Sequence, residues 1–377
     1  MNINTKLAQA GIIDDESAGA ISTPIYQTAT FICRKGVEKK YEYTRTSNPT
    51  REALEKVMAD IEGGAGSCAF ASGMAAVTAV MSLFSSGDRI IASDDLYGGT
   101  FRLFGSVLSR FGITVTYADT SLIENIEKEI DDTVKALFIE TPSNPTMKIA
   151  DIKAIADLAR KRNLKCIVDN TFMTPYFQKP VELGADIVVH SGTKFLGGHN
   201  DTLCGIVVCA SADDYEQIKF IQNTTGGVLS PHDSWLILRG IKTLGIRLDR
   251  AQANSEKIAH WLLGRNEITD VYYPGIDGFK GKKIHEKQSS GNGVMLSFRT
   301  RDASIAEKLI YGCRVIRFAE SLGGVETLIT RPSTQTHSFM PEELRARLGI
   351  TETLLRLSVG IEDAADLIDD IKRTLEA

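Results

Sequence analysis

The chain has 377 residues, of which 43% are hydrophobic and 24% are charged, and its formal net charge is -5. This composition is typical of a globular protein too long for one ordinary core, so the sequence predicts two domains. The modest charge and the lack of a basic block argue against a nucleic-acid partner. We expect no membrane segment, because the apolar run 68–84 is short and is interrupted at Ser72 and Gly73, and no signal-peptide pattern opens the chain.

The cysteines and histidines give no sign of a disulfide framework or a metal site. The six cysteines are scattered, mostly within apolar strands, and they form no CxxC pair. They are expected to be reduced core residues of a cytoplasmic protein. The six histidines are equally dispersed, so no metal cofactor is expected.

Residues 1–47 show little periodicity and are predicted to form an N-terminal arm. Such an arm is ordered only when it packs on something, for example another subunit. Near its end Tyr41, Tyr43 and Arg45 alternate, so their side chains would share one side of an extended segment. A strand edge with a solvated arginine is the alternative. Pro49 then marks the start of a helix.

Strands and helices alternate in residues 48–245, which are predicted to form a large α/β domain. Short apolar strands separated by amphipathic helices indicate a mostly parallel sheet covered on both faces. The predicted strands are 67–71, 89–92, 114–117, 136–140, 166–169, 187–189 and 205–209. The predicted helices between them are 73–83, 100–111, 122–130 and 152–162. Ligands of such sheets bind at the carboxyl ends of the strands.

A long helical stretch over 231–263 is predicted to join the large domain to a smaller domain, 246–377. The pattern there favours an α+β arrangement. Its predicted strands are 293–298 and 354–359, and its predicted helices are 304–311 and 364–375.

Lys194 is the most unusual residue of the large domain. It follows the apolar run 186–190 and stands among small and hydroxyl residues, between Ser191 and Gly197. Burial there would depress the pKa of the amine and make it a nucleophile. A surface lysine in a glycine-rich loop is the alternative.

Three further features follow predicted strands. Gly73 and Met74 stand at a strand-to-helix turn whose amides suit a phosphate, although glycine is common in such turns. Tyr97 lies in a glycine-rich turn and could stack on a flat ligand or be an ordinary surface residue. Asp169 ends an apolar strand, where a carboxylate is costly unless it is paired. A protonated ring nitrogen would pair it, and helix capping is the alternative.

These residues together are the parts of a pyridoxal 5'-phosphate (PLP) site. Lys194 would bond to the cofactor aldehyde, Asp169 would pair with the ring nitrogen, and the helix end at Gly73 would bind the phosphate. Ser191 and Thr193 could add hydroxyl contacts to that phosphate. The bound cofactor would act as an electron sink.

The sequence also resembles a known family over essentially its whole length. The matching motifs are YTRTSNPT at 43–50, ASGMAA at 71–76, ETPSNP at 140–145, VDNT at 168–171, SGTK at 191–194, ESLGG at 320–324 and LRLSVG at 355–360. These motifs are similar to those of the transsulfuration enzymes of cysteine and methionine metabolism. The resemblance implies the PLP-dependent transferase fold type I (aspartate aminotransferase-like), with a mostly parallel seven-stranded sheet and a small C-terminal α+β domain.

The resemblance implies a role for each motif residue. Lys194 would hold the cofactor and then move protons between substrate carbons, Asp169 would pair with the ring nitrogen, and Tyr97 would stack on the ring. The phosphate would be held by Gly73, Met74, Ser191 and Thr193, with Tyr43 and Arg45 reaching in from a neighbouring subunit. The substrate carboxylate would be bound by Arg356, with Ser321 and Asn144, since an arginine fork suits a carboxylate. Family members are homotetramers built from active dimers.

A few residues bear on the reaction. Gly99 follows Tyr97-Gly98 where methionine γ-lyases carry a cysteine, although 229–233 is similar to their sequence. Glu320 is typical of cystathionine γ-lyases and γ-synthases, and 197–201 and 220–223 look more like bacterial lyases that cleave cystathionine at the β or γ carbon. We therefore expect a PLP-dependent carbon–sulfur lyase that cleaves L-cystathionine by γ-elimination, with β-elimination as a further activity. Its products would be a 2-oxo acid, ammonia and a thiol amino acid.

Other reactions remain open at this point. A cystathionine γ-synthase or O-acylhomoserine thiol-lyase is the nearest alternative, because a thiol acceptor site leaves no clear mark in the sequence. Methionine γ-lyase is less favoured, and a non-catalytic binding module of the same fold is the alternative from another class.

Overall fold

The computed structural model describes residues 1–12, 18–33, 35–36 and 40–377. These residues form two β-sheets, one of seven strands and one of five. Helices surround the larger sheet and flank the smaller one.

The larger sheet is built from the first seven strands of the chain. They are β1 (Gly66–Phe70), β2 (Arg89–Ser93), β3 (Thr114–Ala118), β4 (Val134–Glu140), β5 (Lys165–Asp169), β6 (Ile187–Ser191) and β7 (Gly205–Cys209). Their order is β1-β7-β6-β5-β4-β2-β3. Strand β7 runs antiparallel to both of its neighbours, and the other pairs are parallel. The predicted seven-stranded, mostly parallel sheet is confirmed.

The larger sheet is buried on both faces, as the uninterrupted apolar strands predicted. In β6, Val188 packs into one buried cluster while Ile187 and Val189 pack into a second cluster on the other face. The helices in this part of the chain are α1 (Ile3–Ala8), α2 (Pro49–Glu62), α3 (Gly73–Met81), α4 (Gly98–Ser106), α5 (Ile123–Glu129), α6 (Ile152–Lys161), α7 (Thr174–Phe177) and α8 (Ala212–Thr225).

The smaller sheet comes from the C-terminal third of the chain. Its strands are β8 (Ile268–Tyr272), β9 (Met295–Thr300), β10 (Arg317–Phe318), β11 (Leu328–Thr330) and β12 (Leu354–Ser358), in the order β10-β11-β12-β9-β8. The helices of this region are α9 (Pro231–Ile241), α10 (Leu244–Leu263), α11 (Lys282–Gln288), α12 (Ala303–Gly312), α13 (Glu342–Arg347) and α14 (Ala364–Glu376).

The predicted helical stretch over 231–263 is helical in the structure, but it is divided into two helices. The structure has two helices, α9 and α10, separated at Lys242 and Thr243. The Arg247 guanidinium donates to the carbonyl oxygen of Gly240 at 2.9 Å and to that of Phe195 at 2.8 Å. A side chain therefore satisfies a helix-end carbonyl, which allows the chain to turn between the two helices.

Smaller differences concern single elements. One α-helix is predicted over 100–111. In the structure the α-helix ends at Ser106, and Leu108–Phe111 is a 3-10 helix. Helix α8 and the strands β8, β10 and β11 carry too little periodicity to be predicted. Among the six free cysteines, Cys33 is exposed and Cys313 is only half-buried, so these two are not core residues.

The predicted alternation along the arm holds only in part. Tyr43 forms an isolated antiparallel bridge with Thr30, but residues 44–46 form a turn, so Arg45 does not continue an extended segment. Residues 13–17, 34 and 37–39 of the predicted arm lie outside the described residues.

Candidate active site

A cavity opens at the carboxyl ends of β4, β5 and β6. Both sheets and the loops between them line it. The lining residues include most of those singled out in the sequence, namely Gly73, Met74, Tyr97, Asn144, Asp169, Ser191, Thr193, Lys194, Glu320, Ser321 and Arg356.

Lys194 lies three residues past the end of β6, and its side chain is half-buried. Its Nζ donates to Ser321 Oγ at 2.8 Å. Burial and, to a smaller extent, the positive charge of Arg356 lower the pKa of the amine from 10.5 to about 8, while the negative charge of Glu320 opposes the shift. The result is an amine that readily loses its proton near neutral pH, as a nucleophile or base requires.

The backbone of Lys194 is fixed by a close approach of Gly323. A Cβ added to Gly323 would stand 2.7 Å from the carbonyl carbon of Lys194 and 2.6 Å from the nitrogen of Phe195. The φ angle of Gly323 is +86°, which favours glycine. The segment 321–323 therefore touches Lys194 through both a side-chain hydrogen bond and a backbone contact.

Asp169 ends β5 and points its carboxylate into the cavity. It accepts hydrogen bonds from the Thr171 amide at 3.0 Å and from the Thr171 hydroxyl at 2.6 Å. Burial raises the pKa of this carboxyl, while the two hydrogen bonds from Thr171 oppose the rise. The carboxylate caps no helix, since α7 begins at Thr174 without a side-chain cap. A cationic partner in the cavity would lower its cost of burial.

The N-terminus of α3 meets the end of β6 at the same cavity. Ser72 caps the helix by accepting from the Ala75 amide at 3.1 Å. A Cβ on Gly73 would lie 2.9 Å from Ser191 Cβ, so the absence of a side chain allows the two segments to touch. Thr193 Oγ1 accepts from the Cys204 amide at 2.9 Å. This gathering of a helix end, amides and hydroxyls suits a phosphate group.

Tyr97 stands directly before α4 with its side chain 37% exposed. Its amide donates to Glu140 Oε2 at 2.9 Å, which satisfies one of the amides at the start of α4 that have no partner within the helix. A Cβ on Gly99 would lie 2.4 Å from the Tyr97 ring. Glycine at 99 thus leaves room for the ring in its observed position.

A buried guanidinium lies at the other end of the cavity. Arg356, in β12, donates through Nη1 to Asn144 Oδ1 at 2.8 Å and through Nη2 to the Ser321 carbonyl at 3.1 Å. Burial lowers the pKa of Arg356 to about 10, with Glu140 and Glu320 opposing the shift. Its Nε is buried without a hydrogen-bond partner, which leaves a donor for an anionic ligand.

Two predicted residues are not brought to the cavity within one chain. Arg45 donates through Nη1 to the carbonyl of Asn223 at 2.7 Å, and its guanidinium lies 5.7 Å from the centre of the Tyr43 ring. Tyr43 is 47% exposed. The predicted use of these two residues needs a second subunit.

Several residues that line the cavity were not predicted from the sequence. Glu140 ends the strand next to Asp169 and pairs with it in register, so the signal that singled out Asp169 applied to it as well. Thr171 was quoted only as part of a motif, yet it holds Asp169. Thr336 comes from an irregular segment, and the sequence offers no signal that would place it here.

The residues present fit PLP. They provide a desolvated amine, a buried carboxylate, a glycine at a helix N-terminus and an aromatic ring, all lining one cavity. Among the residues that the structure describes, no group of three His, Cys, Asp or Glu side chains could hold a metal ion. None of the helices in the described part of the chain has both the length and the apolar composition needed to span a membrane. Fold and site together define a PLP-dependent enzyme of fold type I.

Comparison with known proteins narrows this class. The model of the family described as Cys/Met metabolism PLP-dependent enzyme matches residues 4–376, and the chain belongs to this family. The chain is 49% identical to a cystathionine gamma-lyase of Bacillus subtilis over 377 residues, covering 100% of both. It is 47% identical to a cystathionine beta-lyase of Lactococcus lactis, covering 100% of this chain and 99% of the relative.

A solved structure shows the same fold. The cystathionine gamma-lyase from Lactobacillus plantarum, complexed with L-serine, superposes with a TM-score of 0.98 at 44% identity and covers 100% of this chain and 99% of that one. The predicted family, fold type, cofactor and enzyme class of PLP-dependent carbon–sulfur lyases are confirmed.

Proposed function

We propose that the protein cleaves the γ carbon–sulfur bond of L-cystathionine. With one water molecule, cystathionine gives L-cysteine, 2-oxobutyrate and ammonia. Cleavage of the β carbon–sulfur bond, which gives homocysteine, pyruvate and ammonia, is proposed as a further activity of the same site. The high identity to relatives named cystathionine gamma-lyase and cystathionine beta-lyase supports both.

The observation that carries the proposal is the charge arrangement around Lys194. Arg356 and Glu320 line the same cavity and both act on the Lys194 amine, with opposite effects on its pKa. Cystathionine is an amino acid at both ends. Arg356 would bind the carboxylate of the reacting end, and the exposed carboxylate of Glu320 would attract the ammonium group of the distal end. Methionine has no distal ammonium group, so this arrangement favours cystathionine over methionine.

The cofactor site would use the residues gathered at the strand ends. Gly73, Met74, Ser191 and Thr193 would hold the phosphate, Asp169 would pair with the ring nitrogen, and Tyr97 would stack on the ring. When bound, PLP withdraws electrons from the substrate's α-carbon.

Lys194 would move protons in the reaction. As a neutral amine, it would accept the α-proton and return a proton to another substrate carbon. The Ser321 hydroxyl, 2.8 Å from Nζ, would orient the amine for this transfer. Arg356, Asn144 and the Ser321 segment would hold the carboxylate so that the scissile bond faces Lys194.

An assay of products tests the reaction. Purified holoenzyme given L-cystathionine, L-cysteine, L-methionine and O-acylhomoserine in parallel is expected to release 2-oxobutyrate and cysteine from cystathionine most rapidly. Pyruvate and homocysteine from the same reaction would measure β-cleavage. The lyase proposal is wrong if the enzyme leaves cystathionine intact and instead condenses an activated homoserine ester with cysteine. That outcome would identify a γ-synthase, the nearest alternative.

We further propose that the working protein is a cytoplasmic homotetramer built from active dimers. Residues 1–47 would form the arm that reaches a neighbouring subunit, 48–245 the PLP-binding domain and 246–377 the C-terminal domain. The exposed position of Tyr43 and Arg45, away from their own cavity, supports sites that are shared between subunits. Hybrids of Arg45→Ala and Lys194→Ala subunits test this, because each hybrid dimer should regain one intact site. Inactive hybrids of correct assembly would exclude the shared site.

A further inference from the structure

A buried histidine joins two loops of the cavity. His337 lies in the irregular segment 331–341, between β11 and α13, and its side chain is 0% exposed. Its Nε2 lies 3.0 Å from the Asn144 carbonyl oxygen and 3.2 Å from the Leu96 carbonyl oxygen. Carbonyl oxygens only accept hydrogen bonds, so Nε2 must carry the proton that both share.

The other ring nitrogen is also engaged. His337 Nδ1 lies 2.7 Å from Thr336 Oγ1, which can donate to it. Burial and the nearby charge of Arg356 lower the pKa of His337 to about 4. The imidazole is therefore neutral at neutral pH, with its proton on Nε2 and its acceptor on Nδ1.

The two carbonyls belong to residues next to the proposed ligand contacts. Leu96 precedes Tyr97, whose ring lines the cavity. Asn144 accepts from Arg356 Nη1 through its side chain at 2.8 Å, while its own carbonyl accepts from His337. His337 thus binds the backbone carbonyl of Asn144, and Arg356 binds its side-chain oxygen.

A close backbone contact supports the same connection. A Cβ on Gly98 would lie 1.9 Å from the Thr336 carbonyl oxygen, so the segment that carries His337 presses directly on the loop that carries Tyr97. This segment comes from the C-terminal part of the chain, whereas both loops follow strands of the larger sheet. His337 therefore connects the C-terminal part of the chain to both loops.

We infer that His337 is a positioning residue that holds Asn144, and through it Arg356, in the geometry that binds the substrate's α-carboxylate. The inference rests on the proposed carboxylate site and not on which bond is cleaved. Binding of L-alanine, which carries the carboxylate but no leaving group, therefore tests it even if cystathionine is not cleaved.

The chain provides a matched control in His285. This histidine is 1% exposed, and its Nε2 lies 2.9 Å from the Gly291 carbonyl. Burial also lowers its pKa to about 4. His285 does not line the cavity. His285→Leu therefore removes a similar buried hydrogen bond elsewhere, and it measures the effect of general destabilisation.

The experiment compares holoenzyme variants by steady-state kinetics, by calorimetric titration with L-alanine and by thermal unfolding. His337→Leu is expected to raise the KM for the amino-acid substrate and the Kd for L-alanine about tenfold, the effect of roughly one lost hydrogen bond. Its kcat should change much less. His337→Gln, whose amide nitrogen can replace Nε2, should restore most of the affinity. His285→Leu should lower the melting temperature with KM and Kd unchanged.

Two results would overturn the inference. The first is a His337→Leu enzyme whose KM and Kd match those of His285→Leu. The second comes from comparing His337→Gln with His337→Asn, which also serves if His337→Leu fails to fold. The Asn amide reaches only the position of Nδ1, so it should leave KM raised while Gln does not, and equal KM values in the two variants would exclude the role of Nε2.

Discussion

Gly323→Ala is the substitution that most directly tests whether Lys194 needs its observed backbone position. The new Cβ would stand 2.7 Å from the Lys194 carbonyl carbon and 2.6 Å from the Phe195 nitrogen. Ordinary contacts between such atoms begin at roughly 3.5 Å, so Lys194 or the 321–323 segment must move by about 0.8 Å. A displacement of this size at a reacting group lowers the rate by about 100-fold.

Gly278→Ala is the matched control for the backbone effect. Gly278 has a φ of +77°, close to the +86° of Gly323, and a Cβ there would meet nothing within 4 Å. Both substitutions therefore place alanine in the left-handed region, at a cost of about 1–2 kcal/mol in the free energy of unfolding. Gly323→Ala adds an overpacking cost of about 1–3 kcal/mol.

The assay measures kcat/KM with cystathionine, PLP affinity of the apoprotein and chemical unfolding for both variants. Gly323→Ala is expected to lose about 100-fold in kcat/KM and to bind PLP more weakly, whereas Gly278→Ala keeps both within about twofold. If Gly323→Ala retains the activity of Gly278→Ala, the contact between Gly323 and Lys194 has no part in positioning the amine.

Four further outcomes follow from the charges around Lys194. The rate at which the apoprotein takes up PLP should rise with pH and level off above about 8, because the neutral amine reacts and burial places its pKa there instead of at 10.5. Arg356→Gln removes a positive charge that lowers this pKa, so the midpoint of the uptake profile should move to higher pH. Glu320→Gln removes the opposing negative charge and should move it to lower pH. Glu320→Gln should also raise the KM for cystathionine about twofold to fivefold, the effect of one exposed ion pair, while leaving the Kd for L-alanine unchanged, since only cystathionine carries a distal ammonium group. An equal change for both ligands would contradict the proposed contact.

The parts of the site that follow strands were predictable from the sequence. Strands of a parallel sheet end at a common edge, so Asp169 and the Lys194 loop had to lie near each other once their strands were recognised. Glu140 obeys the same rule, because its strand pairs with that of Asp169, and it could have been found in the same way. A second buried carboxylate beside Asp169 is costly, however, and this argued against expecting Glu140 in the same cavity.

The remaining features depend on packing between distant segments. Thr336 and His337 lie in a segment with no regular structure, and their place depends on contacts with loops about 190 to 240 residues earlier in the chain. The break between α9 and α10 similarly depends on Arg247 reaching the carbonyls of Gly240 and Phe195. No local pattern encodes such contacts. The roles assigned to individual site residues stay predictions until the variants are measured.

The pairing of β1 with β7 has a consequence for how the protein is made. Strand β1 lies at the edge of the sheet and, among the strands of the described residues, pairs in it with β7, matching Gly66 with Cys209 and Phe70 with Gly205. During synthesis β1 therefore has no strand to join until the ribosome has released the chain beyond residue 209. Closing so long a loop is slow, and an unpaired apolar strand is prone to aggregate while it waits. Helix α3 follows β1 directly and meets Ser191 at Gly73, so the proposed phosphate site also joins two segments that are far apart in the chain.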